Sequence, residues 1–93
     1  MPPKLYMFRL PQGSFALTAD ATGSRLPQDH LLGYTKGDWM FIATIFSANL
    51  KNMIVNSKRI EPEIARAGYY SILKNDIIFN HRFWIQYDPD LYT

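Results

Sequence analysis

The chain has 93 residues, 47% hydrophobic and 15% aromatic, with a formal charge of +2. That is the length of a single domain, spanning 1–93, with too much apolar material for a disordered chain. It contains no cysteine, which excludes disulfides, thiolate metal sites and a cysteine nucleophile and fits a reducing compartment, so a cytoplasmic location is expected.

Lys4–Leu10 and Ser14–Ala19 read as the arms of a hairpin. Pro11 fixes φ negative, which excludes the two-residue primed turns. A type I turn at Pro11-Gln12 with Gly13 in the left-handed region fits instead. That loop pairs Leu10 with Ser14, Met7 with Leu17 and Leu5 with Ala19. One face then carries Leu5, Met7, Phe15, Leu17 and Ala19, interrupted by Arg9; the other carries Tyr6, Phe8 and Leu10 over Ser14, Ala16 and Thr18. Bulk on both faces calls for a cover on each, either a segment of the same chain or another molecule.

Asp20-Ala21-Thr22-Gly23 reads as a turn in which the Asp20 side chain caps backbone amides. Residues 24–38 form a long loop broken by Pro27, Gly33 and Gly37, and Leu26, Leu31, Leu32 and Tyr34 predict that it is pinned to the body. Trp39–Phe46 is apolar on both parities apart from Thr44. It predicts a strand covered on both sides and interior to the sheet. Ser47–Ser57 reads equally as a short helix or an irregular turn. Leu50, Met53 and Ile54 have helical spacing, but Asn49, Asn52 and Asn56 are poor helix formers.

Glu61–Ala67 is the clearest helix: Pro62 and two glutamates suit its first turn, Gly68 terminates it, and Ile60, Ile64 and Ala67 form its docked face. Tyr69–Leu73, Ile77–Phe79 and Phe83–Tyr87 read as strands, with a turn at Lys74-Asn75-Asp76. Frayed ends are expected at about 1–3 and 88–93. The expected class is α+β, a twisted, mostly antiparallel sheet of four to five strands with one short helix.

Phe8, Pro11, Gly13, Ala16-Leu17-Thr18, Asp20, Thr22-Gly23 and Leu26-Pro27 resemble a pattern at the start of a group of small bacterial proteins to which no activity is assigned. The resemblance covers about the first third of the chain. It departs from the pattern by a longer stretch before Trp39. It implies a free-standing bacterial protein and brings no site residues with it.

Chemistry is sparsely signalled. His30 and His81 lie far apart, and no ligand spacing predicts a metal or a cofactor. The serines lack a nucleophile-elbow context. Glu61-Pro62-Glu63 is explained by the helix start. The loop Gly33-Tyr34-Thr35-Lys36-Gly37 has only a passing likeness to an anion-binding turn. No stretch approaches the ~18 apolar residues of a membrane helix, and none suits a secretory leader.

Three functions follow in order. The first is a non-enzymatic interaction or regulatory module whose partner is an unidentified protein or a second copy of the chain, bound through Tyr6, Phe8 and Trp84. The second is single-stranded nucleic-acid binding. Arg82, Trp84 and Gln86 share one parity of the expected strand, its wetter face, and Lys51, Lys58 and Arg59 extend a basic track. Residues 1–59 hold seven Lys or Arg against three Asp, and residues 60–93 three against five acids, an imbalance that permits a basic face. The third is an enzyme with a site built on His30 or His81.

Overall fold

The N-terminal hairpin sets the frame. In the computed structural model, which describes residues 3–29, 31–78 and 82–85, β1 (Lys4–Arg9) and β2 (Phe15–Thr18) pair antiparallel. Met7 lies opposite Leu17 and Arg9 opposite Phe15, the register that Pro11-Gln12-Gly13 dictates. Gly13 N–H donates to Leu10 O and Leu10 N–H to Ser14 O, both at 2.9 Å. Gly13 holds φ at 108°, a conformation that a Cβ disfavours, and this lets a type I turn rejoin the strand. The ladder ends at Tyr6–Thr18, so the expected Leu5–Ala19 pair is not made.

β3 (Met40–Phe46) and β4 (Tyr69–Ile72) complete an antiparallel sheet in the order β3-β1-β2-β4. The α+β class is as expected, with more helix than the single segment anticipated. The helices are α1 (Leu50–Met53), α2 (Ile60–Ala67) and α3 (Arg82–Ile85), and 3-10 turns occur at Lys36–Asp38, Ser47–Asn49, Ser57–Arg59 and Lys74–Asp76. α2 ends as its sequence predicts. Gly68 takes φ of 90° and its N–H donates to Ile64 O at 2.8 Å, the left-handed cap that glycine accepts at least cost.

Three expectations are corrected. The strand at Trp39–Phe46 is not interior: among the described residues β3 pairs with β1 alone and lies at the sheet edge. The place beside β2 is taken by β4, which leaves α2 through Gly68, where Thr18 Oγ1 donates to Gly68 O at 2.9 Å. Nor is β3 covered on both sides. Ile42 is an extra residue between the Met7–Ala43 and Phe8–Phe41 pairs, a β-bulge that reverses the side-chain parity. Trp39 and Phe41 therefore turn toward the Phe8 side, whereas Ala43 and Ile45 pack with the main core. An apolar run with no polar interruption here marks a change of parity, not burial on two faces.

The second correction concerns Ile77–Phe79. Ile77 makes only an isolated bridge to Ile54, and Phe79 lies outside the described residues. The third concerns Phe83–Tyr87. Residues Arg82–Ile85 form a helical turn, and Gln86 and Tyr87 lie outside the described residues, as do the segments 1–2 and 88–93.

The two faces have different covers. Leu5, Met7, Phe15, Leu17, Ile45, Tyr70 and Ile72 form the main core with Leu50, Met53, Ile54, Ile60, Ile77 and Trp84 from the helical side. The helical spacing of Leu50, Met53 and Ile54 thus yields one α turn and a bridge. Arg9, which interrupts this face, sets its guanidinium 5.9 Å from the Phe15 ring centre. Within the core, Tyr70 Oη donates to Asp76 Oδ2 at 2.9 Å, and burial followed by that bond pushes the phenol up to about 12.

The opposite face is covered by the chain itself. Leu26 buries against Phe8 and Ala16, with Tyr6, Trp39 and Tyr69 around them. Trp39 Nε1 donates to Pro27 O at 2.8 Å, and the Tyr34 ring meets that of Trp39 edge-on at 6.0 Å. The 24–38 loop is therefore pinned through Leu26, Tyr34 and Trp39. Leu31 and Leu32, expected to help, are exposed.

The turn after β2 is organised by one carboxylate. Asp20 accepts bonds from the N–H and Oγ1 of Thr22 and the N–H and Oγ of Ser24. The Ser24 hydroxyl, then the Thr22 amide and hydroxyl, hold its pKa down from 3.8 to about 2. Between these values the unfolded chain binds more protons than the folded one. The stabilisation is therefore complete above about pH 3.8 and lost as pH falls toward about 2. Thermal melts are expected to drop through this window, and Asp20→Asn is expected to lower the melting temperature at neutral pH and to flatten that acid limb. An unchanged acid limb in the variant would remove Asp20 from this role.

Candidate interaction surface along strand β3

Seven residues form the edge strand, Met-Phe-Ile-Ala-Thr-Ile-Phe, without a charge, a proline or a glycine. Its side toward β1 is bonded; among the described residues no strand pairs with the other side. Met40, Phe41 and Phe46 are 63%, 53% and 54% exposed. Phe41 stands edge-on to Phe8 at 5.7 Å and tilted against Tyr6 at 6.5 Å. Phe46 lies opposite Lys4, whose Nζ is 5.9 Å from the ring centre. The result is an aromatic row on one face of an open edge.

The other edge of the sheet is built differently. β4 is four residues long, and the hollow beside it is lined by Arg59, Glu63 and Arg66 as well as Tyr69 and Ser71. Arg66 donates to Glu63 at 2.7 Å and holds that carboxyl below its usual range. A short strand flanked by charges is how soluble proteins protect an edge from pairing. β3 is longer and has no charged residue of its own; Lys4 of β1 lies beside Phe46 at one end, and a bulge at Ile42 interrupts the ladder.

The expected site residues separate. Phe8 is buried beneath Leu26, and Tyr6 is half-buried. Of the two covers the sequence allows, a partner or the chain itself, the 24–38 loop is the one that lies over Phe8. Trp84, expected to face solvent, is buried at 3% exposure. Its ring packs edge-on to Phe15 at 5.4 Å and to Phe83 at 5.0 Å, and Nε1 donates to Met53 O at 2.9 Å. A large ring whose one polar atom has a buried acceptor belongs to the core, so it offers no surface to a partner or a base. Arg82 is exposed on α3. Lys51, Lys58 and Arg59, by contrast, are exposed and line one hollow. His30 and His81 lie outside the described residues.

Met40, Phe41 and Phe46 were not singled out from the sequence. The available signal was the uncharged run itself, which suits an edge as well as an interior once a bulge is allowed. Among the described residues no group of three His, Cys, Asp or Glu is arranged to hold a metal, and no helix is long and apolar enough to cross a membrane. Compared with family models, curated proteins and solved structures, the chain finds no match.

Proposed function

We propose that this protein is a non-enzymatic interaction module that offers the open edge of β3 to a protein partner, and that this partner is a second copy of the chain. The supporting observation is an uncharged, seven-residue edge strand with Met40, Phe41 and Phe46 more than half exposed. Unpaired strand amides and carbonyls are satisfied by adding a strand, and side chains beside the edge then supply selectivity. Antiparallel pairing about a two-fold axis uses the same patch on both copies, the commonest closed arrangement. It continues two four-stranded sheets into one and gathers the aromatic rows on one face. A reducing compartment such as the cytoplasm suits a chain without cysteine.

The test is molar mass by light scattering from micromolar to millimolar concentration. The wild type is expected to pass from monomer to dimer. Thr44 is exposed on the strand, so Thr44→Lys is expected to leave the melting temperature nearly unchanged. It should also weaken the dimer at least ~10-fold, or about 1.4 kcal/mol. A wild type that stays monomeric throughout, or a lysine variant that dimerises equally well, would defeat the proposal.

A further inference from the structure

A second surface is independent of the β3 edge. Lys51 sits on α1, and Lys58 and Arg59 on the 3-10 turn that runs into α2. All three are exposed and border a groove of about 560 Å³. Val55, itself 43% exposed, and Ile78 give the groove an apolar wall, and among the described residues no acidic side chain lines it. An adjoining hollow of about 420 Å³ shares Lys51, Ser57 and Lys58; there Glu61 is the acidic lining residue. Pocket volumes of this order hold small ligands.

Three cations around a low-dielectric concavity focus a positive potential into it. The groove therefore selects an anion, and its apolar wall asks for a ligand that carries an apolar plane beside the charge. We infer that this groove binds a nucleotide unit, its phosphates held by Lys51, Lys58 and Arg59 and its base set against Val55 and Ile78. Because Trp84 is buried in the core, the expected stacking platform is replaced here by aliphatic contact. The same chemistry serves a free nucleotide and a nucleotide within a single strand, and the experiment separates them.

Amide-resolved NMR titrations with adenosine triphosphate, a mixed single-stranded DNA oligonucleotide, inorganic pyrophosphate and polyglutamate form the test. Saturable shifts centred on Lys51, Val55, Ser57, Lys58 and Arg59 are expected with the first two. If the source is a strand, three phosphate contacts predict a log–log salt slope of about −2, or a roughly 20-fold loss of affinity between about 50 and 200 mM salt. Lys58→Gln is then expected to reduce that slope by about 0.7. If the source is a free nucleotide, the triphosphate binds more tightly than an equal concentration of nucleotide in the strand. In either case Val55→Ser is expected to weaken nucleotide binding while leaving pyrophosphate unaffected. Absence of saturable shifts, or equal affinity for pyrophosphate or polyglutamate, would overturn the inference.

Discussion

Replacing Trp84 by alanine is expected to cost about 3–5 kcal/mol of stability. The indole is 3% exposed and joins the short α3 turn to Phe15 on a central strand. Its loss opens a cavity between two layers, neither of which can close it alone. It also removes the bond from Nε1 to Met53 O. The same carbonyl accepts the Ile78 amide at 3.0 Å, so it keeps one partner, and the cavity dominates the loss. A chain of this length has roughly 5–14 kcal/mol in total, at ~0.05–0.15 kcal/mol per residue. With an m-value of about 2 kcal/mol per molar urea, the midpoint is expected to fall by roughly 2 M. Trp84→Phe keeps a ring and loses the polar atom, and is expected to cost about 1 kcal/mol from the hydrogen bond. An alanine variant within about 1 kcal/mol of the wild type would take the ring out of the core and return it to the surface.

The burial of Trp84 also shows where sequence pattern stops being informative. Arg82, Trp84 and Gln86 alternate as in a strand, yet Arg82–Ile85 is helical. Four residues are too few for a period of 3.6 to be distinguished from a period of 2. The turn is held by packing of Phe83 and Trp84, rings whose neighbours are distant in the chain. Local chemistry was readable where it decides the backbone. Pro11 and Gly13 specify the hairpin register, Pro62 and Gly68 bracket α2, and Asp20 caps its own turn. Pairing order was not readable, because it depends on β4 reaching β2 across fifty residues, from Thr18 to Gly68. The bulge at Ile42 was hidden for a related reason. Every residue from Trp39 to Ala43 is apolar, so the sequence has no polar mark at which the parity changes. For the candidate surfaces, Lys51, Lys58 and Arg59 were legible as a basic track because they lie within nine residues of one another, on α1 and on the 3-10 turn that follows it. The exposure of Phe41 and Phe46 depends on the pairing order and was not.

Amide exchange is expected to divide the sheet sharply. β1 and β2 each have a bonded neighbour on both sides, so their amides open only with the whole fold. For a domain with at least ~5 kcal/mol, that slows exchange by more than about 10³-fold. In an antiparallel ladder, alternate residues of an edge strand aim N–H and C=O away from their neighbour. In dilute protein, β3 is therefore expected to alternate between protected amides facing β1 and fast ones facing outward, with the bulge at Ile42 breaking the alternation. If β3 pairs with a second copy, the outward amides become slow as concentration rises into the dimer range, while those facing β1 change little. Uniform protection along Met40–Phe46 in dilute protein would place another strand beside β3 and make the edge unavailable. Outward amides that stay fast in concentrated protein would leave the strand exposed but the second copy docked elsewhere. The alternation tests the sheet order and its concentration dependence tests the dimer, so one experiment separates an error in the fold from an error in the function.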